Sequence, residues 1–275
     1  MRNEITSLLA LCAAASAHAQ IVAFARCESV SIDASRASLL SQSNTDAAGV
    51  IDQNFTDFPN YSTTTVDDFS TGNATWSIKK ITMYYSKGAG HWSSAINTAT
   101  LTLFQKTAAM PLESDLPGNL GVVSAALIDK GDYWELTAYT SGVSALQNLN
   151  GDYWIGLTPN ASFLYYGQEF HYLCSDAVSG SPAAMRNPGG AFGTGQGWQD
   201  AAGFIPLPPS DMCMLIDGDA DCPADIDGSG FVDFDDFNYF VVLFELGVIE
   251  ADFDGSGFVD FDDFNKFVIA YKNGC

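Results

Sequence analysis

The chain has 275 residues, 11 of them basic and 33 acidic, for a net charge of −22. Residues 211–275 hold fourteen Asp and two Glu against Lys266 and Lys272, so most of the excess lies in the last quarter. Nucleic acid is excluded as a partner, because its affinity rests on lysine and arginine; a neutral ligand, a cation or a basic protein surface fits better.

Residues 1–19 read as a secretory signal. Arg2 supplies the charged start, residues 5–17 are apolar and alanine-rich, and Ala17-His18-Ala19 forms a small-x-small cleavage site before Gln20. The run is too short to cross a bilayer, and no later run approaches the ~20 apolar residues that a span needs. The expected product is secreted or attached at the cell surface, with no membrane span.

From residue 20 to residue 217 the pattern is strands and turns. Clusters of Gly, Pro, Ser, Thr and Asn separate short runs rich in β-branched and aromatic residues, the composition of an all-β sandwich or barrel. Strands are expected at 64–69, 76–86, 98–106, 121–128, 132–140, 152–157, 162–166, 170–175 and 212–216. Within 76–85 the apolar set Trp76, Ile78, Ile81, Met83, Tyr85 skips a phase, which suggests a β-bulge. Short helices are expected at 34–40 and 140–147. Met212, Met214 and Ile216 alternate as a closing strand does, which puts the linker at 218–221.

Three segments resemble jelly-roll-like β-sandwich modules of secreted, anchored bacterial proteins: Val66-Asp-Asp-Phe69, Gly151-Asp-Tyr-Trp-Ile-Gly-Leu157, and the glycine-rich run from Arg186 to Trp198. The resemblance implies a carbohydrate-binding role. Tryptophan and tyrosine offer a flat apolar face and a polar handle, which suits a sugar ring. Trp92 and Trp198 are the leading candidates because they sit in glycine-rich loops; Trp134, Trp154, Tyr165, Tyr166 and Tyr172 follow, and each has a competing role in the core.

Catalysis finds little support. Glycoside hydrolysis needs two carboxyls across the scissile bond. Glu113, Glu135, Glu169, Asp67, Asp68, Asp132 and Asp152 are present without the spaced Glu-x-Asp-x-x-Glu strand of jelly-roll hydrolases. Asp67 and Asp68 are strand neighbours pointing to opposite faces, and one of them reads as a turn or edge carboxylate or a third calcium ligand. His91 and His171 lack a Gly-x-Ser-x-Gly elbow or a His-Glu-x-x-His helix. A polysaccharide-degrading hydrolase and a purely structural envelope protein remain alternatives to a non-catalytic binding module.

The C-terminal stretch is duplicated. Residues 224–244 return twenty-seven positions later as 251–271, with sixteen of twenty-one aligned residues identical. Each copy fits a twelve-residue calcium loop, which supplies oxygens from positions 1, 3, 5, 7, 9 and 12 around a glycine at 6. The first offers Asp225, Asp227, Ser229, Phe231 (through its carbonyl), Asp233 and Asp236, with Gly230 at the turn. The second offers Asp252, Asp254, Ser256, Phe258, Asp260 and Asp263, with Gly257. Position 12 is aspartate rather than the usual glutamate, and Cys222-Pro223-Ala224 leaves no room for an entering helix. An exit helix is marked in each copy by Phe237, Phe240, Val241 and Phe244, and by Phe264, Phe267, Val268 and Tyr271.

A duplicated loop–helix unit with these features resembles the dockerin family, over residues 222–275. The resemblance implies two Ca2+ ions on the positions named, a cohesin-like or other surface docking partner, and secreted proteins that often act on polysaccharide. Where cellulosomal dockerins commonly carry small hydroxyl pairs, this chain has Phe234-Asp235 and Phe261-Asp262.

Removal of the signal leaves Cys27, Cys174, Cys213, Cys222 and Cys275, and export permits disulfides. Cys222 and Cys275 bracket the duplicated unit and are expected to clasp it, with covalent attachment through Cys275 as the alternative. Cys174 and Cys213 are the expected second pair. The whole reads as mainly β: a β-sandwich at 20–217, then a small α-helical dockerin-like domain at 222–275.

Overall fold

The computed structural model describes residues 38–43, 49–72, 74–86, 96–166, 169–175, 178–193, 195–201, 210–229 and 231–274. The expected signal peptide, Cys27, His91, Trp92, Gly230 and Cys275 lie outside them.

The chain divides into two compact units. One holds Ile78–Gln147, Asp152–Gly218 and the chain up to Ser70; the other holds Asp219–Cys275 together with the short pieces Thr71–Ser77 and Asn148–Gly151. The sequence shows no sign of those two insertions. They are tied to each other by Trp76 and Leu149, whose backbones exchange two hydrogen bonds of 2.8 Å, by Gly151 N donating to Thr71 Oγ1 at 2.8 Å, and by Asn150 Nδ2 donating to the Ala74 carbonyl at 3.1 Å.

The described strands are β1 (Ser38–Gln42), β2 (Gly49–Ile51), β3 (Asn54–Phe55), β4 (Thr64–Ser70), β5 (Thr75–Ser86), β6 (Thr98–Gln105), β7 (Pro117–Asp129), β8 (Tyr133–Tyr139), β9 (Asp152–Ala161), β10 (His171–Leu173), β11 (Ala184–Arg186), β12 (Gln199–Asp200) and β13 (Met214–Asp221). The main hydrogen-bonded order is β1-β13-β5-β8-β7-β6-β9-β4-β11-β12; β10 pairs with β2 and β5, and β3 runs parallel to β9. The molecule is therefore mainly β with a large antiparallel sheet. β7 serves two neighbours: residues 117–124 pair with β6 and residues 125–129 with β8. Where β6 meets β7 the register slips between Leu101 and Thr102, opposite Gly121 at φ 92. Glycine takes that backbone without a Cβ penalty, which is what the bulge requires.

Burial tells central strands from edges. β4, β9 and residues 81–86 of β5 are buried at nearly every position, so both of their faces are covered. β7 is exposed along most of its length. Ile78, Ile81, Leu101, Leu103, Leu136 and Leu157 show no exposed surface, each burial stabilising the fold by ~1.5–3 kcal/mol. The apolar phase skip in β5 falls where the strand leaves Leu149 and takes up β8, and its register with β8 from Lys80 to Ser86 runs without a bulge.

Four expectations need correction. Residues 38–40, the described part of an expected helix, belong to β1. Residues 140–147 form only a 3-10 turn at Ser144–Leu146. The expected strand at 162–166 is the short helix α1 (Phe163–Tyr166), because Asp57 accepts from Ser162 Oγ and from the amides of Phe163 and Leu164 at 2.8–3.0 Å and closes a helical turn. Residues 218–221, expected as a linker, continue β13.

In the C-terminal unit the two expected exit helices are α2 (Phe234–Leu246) and α3 (Phe261–Asn273). Phe240, Ala251 and Phe267 form a fully buried centre, surrounded by Ile226, Phe237, Phe244, Phe253, Phe264, Val268 and Tyr271. This small core is mostly aromatic, which gives 54-odd residues a large apolar area to bury per side chain.

Candidate metal centres

Each repeat gathers three carboxylates. Asp225, Asp227 and Asp236 each place an oxygen within 4.8 Å of the others, and Asp252, Asp254 and Asp263 do the same. The helix start fixes the third member. Asp233 and Asp260 are N-caps whose side chains accept from the amides of Asp235 and Asp262 at 2.8 and 2.9 Å, and Asp236 and Asp263 complete the capping boxes. Asp236 accepts from Asp227 N at 3.2 Å and Asp233 N at 2.8 Å; Asp263 accepts from Asp254 N at 2.9 Å and Asp260 N at 2.8 Å.

The position-12 aspartates are thus wholly buried yet bonded through both oxygens. The Asp260 and Asp254 amides hold the Asp263 carboxyl below its usual range, so it stays ionised at neutral pH beside two further aspartates. In the second loop Asp252 accepts from Ser256 N and Gly257 N at 3.0 and 2.7 Å, and Gly257 has a φ of 88, a backbone that non-glycine residues rarely adopt. Ser229 Oγ donates to the Phe231 carbonyl at 3.2 Å, and Ser256 Oγ to the Phe258 carbonyl at 3.3 Å, so the oxygens of positions 5 and 7 lie side by side.

Of the twelve expected ligands, six carboxylates come together in two groups, and the hydroxyls and carbonyls of positions 5 and 7 pair within each loop. Asp233 and Asp260 are engaged as caps, a role the loop spacing alone does not announce. The donor set is all oxygen and strongly anionic, which suits a hard divalent ion such as Ca2+ and disfavours softer metals.

Around these centres lie large exposed rings. Phe231 and Phe258 are 63% and 75% exposed, and Phe234 and Phe261 are 67% each. Phe234 stacks on Phe237 and Phe261 on Phe264, which holds both outer rings at the helix starts.

The other expected site residues are placed as follows. Trp198 is half-buried in the glycine-rich run; the Arg186 guanidinium lies 4.6 Å above its ring and Phe104 meets its edge, so one of its faces is covered. Trp134, Trp154 and Tyr172 belong to the buried core, whereas Tyr165 is exposed. Cys174 and Cys213 form no disulfide and remain buried thiols. Cys174 pairs with Met212 while the Cys213 amide bonds Leu173, so the two cysteines are one residue out of register and point to opposite faces. The expected bond between Cys222 and Cys275 ends on a residue outside the described ones.

Asp52 and Asp211, two buried acids of the β unit, carry no signal in the sequence. Asp52 has no exposed surface and accepts from Tyr85 Oη at 2.7 Å, Thr158 Oγ1 at 2.9 Å and Thr65 N at 3.1 Å. Asp67 and Asp68, one of which is expected as a turn or edge carboxylate or a third calcium ligand, are both buried within β4. Compared with family models and with curated proteins, the chain matches none.

Proposed function

We propose that this chain is an exported, calcium-dependent docking protein: a dockerin-like C-terminal unit that attaches a non-catalytic β module to a cohesin-like or other surface partner. The observation that carries the reading is the twin gathering of Asp225, Asp227 and Asp236, and of Asp252, Asp254 and Asp263, within 4.8 Å. Three carboxylates at that spacing repel one another, and a divalent ion turns the repulsion into binding. Calcium would tie each loop to the helix it starts, through Asp236 and Asp263. The exposed phenylalanines of positions 7 and 10 are the surface offered to a partner, since apolar patches rimmed by charge mark interaction sites.

The β module is read as a jelly-roll-like sandwich, supported by the division of β7 between β6 and β8 and by strands buried on both faces. Its role is to hold an extracellular ligand such as carbohydrate.

Isothermal titration of Ca2+ into the full chain tests the metal reading. Heat of binding is expected, and it should fall to about half in Asp263→Asn and further in the double variant with Asp236→Asn. No heat, together with unchanged proteolysis in EGTA, overturns the reading. Docking is tested with purified cohesin modules against Phe234→Ser and Phe261→Ser, which should weaken binding while leaving the calcium heats intact.

A further inference from the structure

A second acidic group lies in the β unit. Asp67 and Asp211 have no exposed surface and Asp68 has 5%. Asp68 is ion-paired with Lys106. Asp67 accepts from Asp68 N at 3.0 Å and Met212 N at 2.7 Å, and Asp211 accepts from Ser179 N at 2.6 Å and Gln42 Nε2 at 3.3 Å. The turn at 179–181 closes over the group: Ser181 N donates to Asp68 at 3.0 Å, and a Cβ on Gly180 would lie 2.3 Å from Asp68 Oδ2.

Two features are out of balance. Lys106, which pairs with Asp68 and also pulls Asp211 down, is the one cation beside the group among the described residues, so three buried carboxylates share a single positive charge; burial raises Asp67 and Asp211, and Asp211 raises Asp67 more than Asp68 does. Two oxygens also lack any hydrogen-bond donor among the described residues: Asp211 Oδ1 and Gln42 Oε1, both fully enclosed and flanking the bond that joins their side chains. Turning the Gln42 amide over does not help, because it would set an oxygen against the Asp211 carboxylate. Buried charges are paired or coordinate metals, and orphaned buried oxygens call for an ion or water. Water would satisfy the oxygens but not the charge, and one proton would offset one charge of the two.

We infer that Asp211 Oδ1, Gln42 Oε1 and the Asp67 carboxylate form a third cation site, in the β unit, for a hard divalent ion. Ca2+ is the preferred ion. It accepts irregular sets of carboxylate and amide oxygens, whereas Mg2+ demands near-octahedral geometry and keeps several waters, for which an enclosed site has little room. The ion would fasten β1, β4 and the approach to β13 together, and the site is independent of the docking reading.

The test counts calcium bound to the full chain by native mass spectrometry. Three ions are expected for the unaltered chain and two for Asp211→Asn, which keeps size and removes charge. The pair Asp236→Asn and Asp263→Asn should retain one ion, so the two readings fail separately: loss of loop calcium alone leaves this site standing. Gln42→Met preserves volume and should weaken the third ion roughly tenfold or more; it decides the matter if Asp211→Asn does not fold. An unchanged count in Asp211→Asn, or unchanged affinity in Gln42→Met, overturns the inference. So does a group that responds only to pH, with stability rising on acidification and no third ion at any calcium concentration.

Discussion

Phe240 and Phe267 lie ring on ring, centroids 3.9 Å apart and planes 9° from parallel. They are equivalent residues of the two repeats, so the duplication in sequence becomes a contact at the centre of the small core. Each is fully buried. Replacing either by alanine should destabilise the C-terminal unit by ~3–5 kcal/mol, through lost burial and the cavity left behind. Urea unfolding followed by far-ultraviolet circular dichroism checks this, and because the two stacked rings share a partner, the double variant should cost less than the sum.

The caps give a second expectation, separable from metal binding. Asp233 and Asp260 each close a capping box, and their replacement by alanine should cost ~1 kcal/mol of helix stability. The loss should persist in EGTA, since the amide bonds do not need an ion. A loss seen only with calcium present would make these residues ligands first and caps second.

The two buried thiols give a third. Burial raises the Cys174 thiol, and a protonated, enclosed sulfur is a poor nucleophile. Cys174 and Cys213 should resist iodoacetamide in the folded chain and react after denaturation, as peptide mass mapping would show. Cys174→Ser with Cys213→Ser should leave the resistance of the fold to reductant unchanged, because no bond joins them.

The C-terminal unit was legible in sequence because its ligands are local: alternate loop positions converge on one point whatever surrounds them, and the aromatic period declares the following helix. The β unit was legible only as strands. Asp67 falls in an expected strand and Asp52 and Asp211 carry no local signal, and only long-range pairing shows that all three are enclosed. The cysteine pairing failed on a single step of register, Cys174 opposite Met212 instead of Cys213. Residues 162–166 carry strand-like aromatics, but Asp57, over a hundred positions earlier, supplies the acceptors that turn them into α1. Thr71–Ser77 and Asn148–Gly151 join the second unit through contacts that no local pattern encodes.

Asp52 gives the last prediction, with its sign set by burial. Enclosure lifts its carboxyl to about 7 against donors that pull the other way, chiefly Tyr85 and Thr158. The folded chain holds this proton more tightly than the unfolded chain does, so stability from this group is complete below the ordinary aspartate range and is lost as pH rises through about 7. Tyr85 Oη lies 2.9 Å from the Leu157 carbonyl as well, so it can donate there and accept the proton of a neutral Asp52. Asp52→Asn mimics that neutral state and should flatten the fall in stability between pH 5 and pH 8, measured by urea unfolding at about those two values. His171 works in the opposite sense: burial pushes it down to about 4, so its contribution is lost as pH falls from 6.5 towards that value. The difference between Asp52→Asn and the unaltered chain cancels the His171 effect and isolates the carboxyl; an identical pH profile in both proteins would mean that Asp52 stays ionised throughout.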